Sequence, residues 1–289
     1  MVTASSAELP VSPRGLVGAI RQLMPRDEFF AGLYIVGCVN GLAGGIIEIA
    51  QTGDWANWTQ GGRSISVIVL FACVAGIALL LRDKGDQIRS ADLVLGVVFL
   101  ALVAVPVSVM SWVAVTGLSL YILLFTNASS SRKRGAWILL ALTVPMLWSR
   151  MLFAFFAKFF LELDASLVAS LLGTQHNGNL VRFADGSGYL MILPACSSLS
   201  NVSLAFLCWA TISQSVEHQW SRADIWWCLL ACASVAAVNV ARISLEGLSR
   251  GYYQAIHNQW GDTVINVIVL VLTIGFSVLG VRRELFSRA

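Results

Sequence analysis

The sequence predicts an all-α protein that crosses a membrane several times. Of its 289 residues, 57% are apolar and 12% are charged, and the mean hydropathy is +0.76. Soluble domains carry about 45–50% apolar and roughly 25% charged residues. The apolar residues also occur in runs of about 20, the length that a helix needs to cross the ~30 Å core of a bilayer. This composition, with a net charge of only +3, excludes a disordered chain, a disulfide scaffold and a nucleic-acid-binding protein.

Eight apolar segments have the required length. They cover about residues 29–50, 64–81, 91–108, 110–127, 136–157, 195–213, 224–243 and 262–281. Residues 1–28 contain three prolines and no apolar run, which indicates a polar tail and not a cleaved signal peptide. The chain therefore divides into an N-terminal tail (1–28), helices 1–4 (29–135), a core of helices 5–8 (136–281) and a C-terminal tail (282–289).

Basic residues predict the orientation, because Lys and Arg favour cytoplasmic loops. With eight spans and both termini in the cytoplasm, thirteen of the 19 Lys and Arg residues fall on the cytoplasmic side. Residues 128–135 are then cytoplasmic, and residues 158–194 form the longest segment on the outer face.

The outer segment contains a predicted β-hairpin that leads to a cysteine. Two short apolar runs, 180–183 and 189–192, flank a Gly-rich turn over residues 185–188. Cys196 follows, and Pro194 favours the start of a helix there. In a first helical turn, exposed N–H groups and the helix dipole favour a reactive thiolate. The alternative is that Cys196 is a small buried apolar residue, as thiols commonly are.

The other cysteines and histidines predict no metal site and no cofactor. Five cysteines lie within apolar spans and are expected to pack there: Cys38, Cys73, Cys208, Cys228 and Cys232. His218 falls on the cytoplasmic side and is expected to be a solvated loop residue. His176 and His257 fall on the outer side, without the tight spacing of metal ligands.

Two arginines lie at or within predicted spans, where ionisable groups are costly and usually functional. Arg242 stands at the outer end of the seventh span, with Glu246 at i+4 as a salt-bridge partner in the alternative interpretation. Arg150 lies deeper, in the fifth span. It either contacts a substrate or pairs with an acidic residue, for which the candidates are Glu48, Glu162 and Asp164.

Three short motifs on the outer face resemble the signature of the exosortase/archaeosortase family. They are Ala195-Cys196-Ser197, Asn239-Val240-Ala241-Arg242-Ile243, and His257 with Gly261 four residues later. The resemblance covers about residues 136–281. It implies a Cys196–Arg242–His257 site on the periplasmic face of a bacterial inner membrane. One residue departs from the family pattern, since Ser198 stands where the family commonly has glycine.

The resemblance also implies an activity. Members of that family recognise a C-terminal sorting tail on exported proteins, made of a short motif, a transmembrane helix and a basic cluster. This chain is accordingly expected to be a cysteine protease or transpeptidase that transfers exported proteins to an unidentified acceptor, in exopolysaccharide or surface-protein sorting. Cys196 would form a thioester, His257 would protonate the leaving amine, and Arg242 would donate hydrogen bonds to the oxyanion. Further candidates for substrate contacts are Arg150, Asn239 and Ser198.

Two other classes of protein fit the same composition. A non-catalytic membrane component of polysaccharide export would use the cysteine, arginine and histidine only for packing. A transporter would line its path with Arg150 and Glu48. Matching Gly or Pro breaks in two halves of the chain would favour transport, and the sequence has no such symmetry.

Overall fold

The computed structural model describes residues 24–52, 66–82, 87–218 and 221–282. Its helices are α1 (Arg26–Thr52), α2 (Val67–Leu80), α3 (Ser90–Val103), α4 (Ser108–Phe125), α5 (Ser130–Thr143), α6 (Ser149–Leu172), α7 (Ser198–Ser215), α8 (Arg222–Glu246), α9 (Arg250–Ile256) and α10 (Gln259–Gly280). A π-helical turn, Val144–Trp148, joins α5 to α6. Residues 1–23 of the predicted N-terminal tail, residues 283–289 of the C-terminal tail and the side chain of Glu48 lie outside the described residues.

Within the described ranges, five helical segments are long and apolar enough to cross a membrane. They are Arg26–Ile47, Ser108–Phe125, Ser130–Leu172, Arg222–Glu246 and Thr263–Gly280. An all-α membrane protein is thereby confirmed. The helices α2 and α3 have 14 residues each, or about 21 Å, which is less than the ~30 Å bilayer core. Helix α7 is long enough but carries eight Ser, Thr, Asn and Gln side chains, so the count of eight spans stays a prediction.

The fifth predicted span, 136–157, lies inside a helical segment that continues to residue 172. Pro145 lacks an N–H group and cannot continue the α-helical hydrogen bonds, and the π-helical turn occurs around it. A second irregularity follows at Phe156, where φ is −121° and ψ is 23°. The segment of 43 residues would measure about 65 Å if it were straight. The C-terminal half of α6 therefore extends past a single crossing, and it packs against the sheet and α8.

A three-stranded antiparallel sheet, in the order β1 (His176–Asn177), β2 (Leu180–Arg182) and β3 (Tyr189–Met191), precedes α7. Strands β2 and β3 are the two runs expected to form the hairpin. Gly186 and Gly188 in the turn have φ values of 75° and 151°, which favour glycine. The N–H of Ala184 donates to the carbonyl of Gly247 at 3.0 Å. This bond fastens the turn to the end of α8.

The molecule has two apolar cores. The larger one lies among α1, α2, α3, α4, α5 and α7, with Phe30, Val115 and Leu139 among its buried side chains. The smaller one joins α6, the sheet and α8 through residues such as Val168, Leu190 and Ile243. Cys196 packs against this smaller core, so the packing of α6, the sheet and α8 sets the position of its turn.

The prediction that His218 is solvated is wrong. Its side chain is largely buried, and its Nε2 lies 2.7 Å from Oδ1 of Asp224. Asp224 belongs to the first turn of α8, where it also accepts from the N–H of Ser221. The imidazole is therefore held between the end of α7 and the start of α8 instead of being solvated.

Candidate functional site

Cys196 lies at the end of a short 3₁₀ turn, Pro194–Cys196, and not in the first turn of α7 as expected. Ser197 is the N-cap of α7, with extended backbone angles (φ −69°, ψ 139°). Its hydroxyl oxygen accepts from the N–H of Leu199. Pro194 does begin a helical turn, but the capping serine separates that turn from the α-helix. The partly buried thiol of Cys196 therefore precedes the helix by two residues.

A buried carboxylate occupies the N-terminus of α7. Oδ2 of Asp164, on α6, accepts from the N–H of Ser198 at 3.1 Å, and its Oδ1 accepts from the Ser198 hydroxyl at 2.8 Å. The helix N-terminus that was expected to favour the thiolate therefore carries the charge of Asp164 instead. This arrangement also gives Ser198, which departs from the family pattern, a specific contact between two helices.

Asn239 ties α8 to the same turn. Its Nδ2 donates to the carbonyl of Cys196 at 2.8 Å and to the hydroxyl of Ser198 at 3.1 Å. Asn239 is buried. Three helices are thus joined by hydrogen bonds at the cysteine: α6 through Asp164, α7 through Ser198 and α8 through Asn239. These contacts of Asn239 and Ser198 fix the backbone of the turn that carries the thiol. Contacts of the same two residues with a substrate stay a prediction.

Glu246 connects the two other residues of the predicted site. Its Oε1 accepts from Nε of Arg242 at 3.0 Å and lies 3.7 Å from Nδ1 of His257. The glutamate side chain is 4% exposed, whereas that of His257 is 40% exposed. The second distance is longer than a hydrogen bond, so it is an electrostatic contact that strengthens when the imidazole is protonated. A buried carboxylate therefore faces the partly buried guanidinium of Arg242 and an accessible imidazole.

A small cleft, here called the cysteine cleft, brings Cys196 and His257 together. Its volume is about 30 Å³, and it is lined by Leu190, Met191, Ile192, Leu193, Cys196, Ile243, Glu246, Tyr253 and His257. Arg242 does not line the cleft but contacts it through Glu246. The cleft has space for about two water molecules. Any larger molecule that entered the cleft would have to displace side chains at its opening.

Tyr253 forms one wall of the cysteine cleft. Its ring stacks on the imidazole of His257, with centroids 4.8 Å apart and planes 15° apart. Burial raises the pKa of Tyr253, and the negative charges of Glu246 and of the Cys196 thiolate raise it further. The phenol therefore keeps its proton across the neutral range, and its ring fixes the plane of the imidazole.

His257 is carried by a tight turn that requires glycine at residue 261. The N–H of His257 donates to the carbonyl of Tyr253 at 2.8 Å, which ends α9. The N–H of Gly261 donates to the side-chain oxygen of Asn258, the N-cap of α10. A Cβ atom at Gly261 would lie 1.9 Å from the carbonyl oxygen of Ile256. The glycine expected from the motif is thus required by close approach of two backbone segments beside His257.

The remaining candidate, Arg150, does not line the cysteine cleft. It lies on the exposed side of α6, fourteen residues before Asp164, which corresponds to about 21 Å along a helix. The described residues hold no cluster of three His, Cys, Asp or Glu suited to a metal ion. All six cysteines are thiols, and Cys38, Cys73 and Cys208 are buried in the larger core.

A larger cavity of about 1110 Å³ lies between α5 and the end of α7. It is lined mainly by serines, tryptophans and an ion pair in which Nη2 of Arg134 lies 2.7 Å from Glu217. None of the predicted catalytic residues lines it. The cavity with the potential for covalent chemistry is therefore the smaller one.

Sequence reasoning missed three residues of the site. Glu246 was considered only as a partner of Arg242, Asp164 only as a partner of Arg150, and Tyr253 not at all. The i, i+4 spacing of Tyr253 and His257 is a signal that a stacking partner was available. No comparable signal exists for Asp164 and Ser198, because 34 residues separate them.

No family model, no curated protein and no solved structure matches this chain. The functional argument therefore depends on the geometry of the cysteine cleft and on its residues.

Proposed function

We propose that this protein is an exosortase-like cysteine peptidase or transpeptidase, which cleaves a C-terminal sorting tail from exported proteins through a thioester. One observation supports this most strongly. A partly buried thiol and an accessible imidazole line the same cleft, and a buried glutamate contacts both the imidazole and an arginine. A nucleophile, a proton carrier and an orienting carboxylate are the parts that covalent acyl transfer needs.

In the first half of the reaction, the Cys196 thiolate attacks the scissile carbonyl carbon. A C–S bond forms, the carbonyl electrons move to oxygen, and the tetrahedral intermediate then expels the amine of the tail. His257 donates a proton to that amine, and the acyl group remains on Cys196 as a thioester. In the second half, His257 takes a proton from the acceptor nucleophile, which attacks the thioester and releases the thiolate.

Glu246 has two effects in this scheme. Its Oε1 lies 3.7 Å from Nδ1 of His257 and can orient the imidazole that donates to the leaving amine. Its bond to Nε of Arg242 fixes the plane of the guanidinium. Arg242 stays protonated and cannot act as a base. Its proposed role is hydrogen bonding through its terminal nitrogens to the oxyanion or to a substrate carboxylate.

The hydrogen bonds of Asp164, Ser198 and Asn239 support the nucleophile. A catalytic group must be held close to its productive geometry, because small displacements are costly in rate. The carbonyl of Cys196 accepts a hydrogen bond from Asn239, and the N–H of Ser198 donates one to Asp164. Both contacts act on the backbone of the turn that carries the thiol.

We also infer the location from the charge distribution: the cysteine cleft faces the periplasm of a bacterial inner membrane, and both termini are cytoplasmic. The proposed partners are the lipid bilayer, exported proteins with a tail of motif, helix and basic cluster, and an acceptor. Labelling of single cysteines introduced at Ser130 and Gly186, in intact cells and in lysed cells, tests this. Labelling of both from the same side would contradict the topology.

The decisive experiment is co-expression with a tagged exported protein that carries such a tail. Cys196→Ala is expected to abolish processing at an unchanged level of membrane protein, because alanine removes the nucleophile and opens little space. Cys208→Ala is the matched control and should process normally, since that thiol is buried in the other core. Processing by Cys196→Ala at the wild-type rate would exclude thiol catalysis and favour a non-catalytic component or a transporter.

A further inference from the structure

The strand next to the cysteine cleft has an open edge. In the sheet order β1-β2-β3, β3 is paired only with β2 among the described residues. The N–H of Ile192 donates to Asn179 and the N–H of Phe183 donates to Gly188, and Leu190 lies opposite Val181. Along an antiparallel pair, the N–H and C=O groups of successive residues point alternately toward the partner strand and away from it. The N–H and C=O groups of Leu190 therefore point toward β2, and those of Tyr189 and Met191 point away from β2, toward the open edge.

Nothing in the described part of the chain bonds to these outward backbone groups of Tyr189 and Met191. Natural edge strands usually carry charged residues or proline, which discourage pairing with other chains. Residues 189–193 read Tyr-Leu-Met-Ile-Leu and contain neither. On the outer face of this segment, Tyr189, Met191 and Leu193 are 66%, 55% and 50% exposed. The edge therefore offers both backbone partners and a row of apolar side chains.

This edge leads directly to the nucleophile. Met191 and Leu193 line the cysteine cleft together with Cys196, and the 3₁₀ turn with Cys196 follows β3 after two residues. Extended peptides commonly bind by adding a strand to an exposed edge, where backbone bonds give affinity and alternate side chains give specificity. A peptide paired with β3 would run along the cleft opening.

We propose that the edge of β3 binds the scissile segment of the substrate as an added strand. The enzyme then recognises an extended peptide with apolar side chains at alternate positions, largely through its backbone. This inference rests on the proposed function, because only a protein or peptide substrate has a backbone to pair. A peptide is the occupant that fits this edge, because the edge and the nucleophile open into one cleft.

The test uses an electrophilic peptide, acetyl-Val-Ala-Val-Ala chloromethyl ketone, and iodoacetamide as a reagent without a peptide. In the first reaction the Cys196 thiolate forms a C–S bond to the methylene carbon, the C–Cl bond breaks, and chloride leaves with the electron pair. The rate at Cys196 is followed by peptide mass spectrometry on the full-length protein in detergent. Four further probes each carry a single N-methylated amide.

If the peptide binds as an added strand, the effect of N-methylation on the alkylation rate should alternate from one amide to the next. Methylation of an amide that faces β3 should slow alkylation about tenfold, the cost of one or two backbone hydrogen bonds. Methylation of the next amide should change the rate less than twofold. Met191→Pro removes an outward N–H and should slow the peptide probe about tenfold relative to Met191→Ala, while the two variants react with iodoacetamide at the same rate. Met191→Ala keeps the N–H and is the matched control for the lost side chain.

Equal effects of all four methylated probes, or no effect of any, would overturn the inference. The inference would also fail if Met191→Pro did not change the rate of alkylation by the peptide probe. It would fail as well if that rate fell as the protein concentration rose, because a second copy of the protein would then cover the edge. If iodoacetamide modifies Cys196 but the peptide probe does not, strand addition fails while the proposed function stands. If neither reagent modifies Cys196, both fail.

Discussion

Two charged clusters in this protein are built in opposite ways. The bundle-end cluster joins the first turns of α1, α3 and α5: Arg26 lies 2.8 Å from Asp92, and Asp27 pairs with Arg132, with every member at most 3% exposed. In the cleft cluster (Arg242, Glu246 and His257), exposure rises from 4% at Glu246 to 40% at His257. Fully enclosed pairs can only hold helices together, whereas a cluster that opens at one end can act on another molecule.

The exposure of a charged cluster distinguishes ion pairs that only stabilise the fold from charged groups that can take part in a reaction. Both clusters contain arginine beside a buried carboxylate, so residue type alone does not distinguish them. Breaking an enclosed pair leaves an uncompensated buried charge and costs stability. Changing a group at the open end should alter reactivity first. The following variants test this contrast, from the largest expected effect to the smallest.

Asp92→Ala should lower the free energy of unfolding by about 3–5 kcal/mol, because it leaves Arg26 buried without its carboxylate. Asp92 also accepts from the hydroxyl of Tyr121 and the N–H of Arg89, each at 2.8 Å. Denaturant titration of the purified protein in detergent measures the change. A loss below about 1 kcal/mol would mean that the bundle-end cluster is not structural.

Arg242→Lys should lower the rate of tail cleavage about 10²–10³-fold, the usual cost of losing one oxyanion donor. Lysine keeps the charge but lacks the planar fork of donors. The measurement is cleavage in the co-expression assay, with Arg250→Lys on the exposed helix α9 as the matched control. If Lys supports near-normal cleavage, Arg242 serves only as the salt-bridge partner of Glu246, and the cleft cluster resembles the bundle-end cluster after all.

Gly261→Ala should lower cleavage about 10²-fold, since a displacement of about 1 Å at a catalytic group has effects of that size. The new methyl group would meet the Ile256 carbonyl at 1.9 Å and shift the turn that carries His257. Gly275→Ala, on the same helix with open space around it, is the control. Equal activity of the two variants would show that the position of His257 does not limit the reaction.

Asp164→Asn should lower the free energy of unfolding by about 1.5–3 kcal/mol, because hydrogen bonds to a charged group are lost or weakened. The amide still accepts one bond from Ser198 but no longer accepts two. Denaturant titration measures the free energy of unfolding. The rate at which iodoacetamide alkylates Cys196 is a second measurement, and this rate should change because the turn that carries Cys196 moves relative to the cleft. Unchanged stability and an unchanged rate together would contradict the positioning role.

Prediction from sequence succeeded where the signal is local along the chain. Runs of apolar residues identify the membrane helices, and Gly186 and Gly188 mark the turn between β2 and β3. The contact between Arg242 and Glu246 follows from their i, i+4 spacing. Prediction from sequence failed at Cys196, because the choice between an α-helical turn and a 3₁₀ turn depended on capping of α7 by Ser197. It failed at His218 because the partner, Asp224, is reached only when α7 and α8 fold against each other.

The sequence by itself determined that this chain is an α-helical membrane protein, because burial of apolar side chains depends on composition and run length. It also supplied the hypothesis that Cys196, Arg242 and His257 form a site, which stays a prediction. The tertiary structure alone decided that Cys196 and His257 share one cleft, that Glu246 contacts His257, and that Asp164 occupies the N-terminus of α7. These contacts join residues on different elements, and the packing of α6, the sheet and α8 around the smaller core brings them within bonding distance.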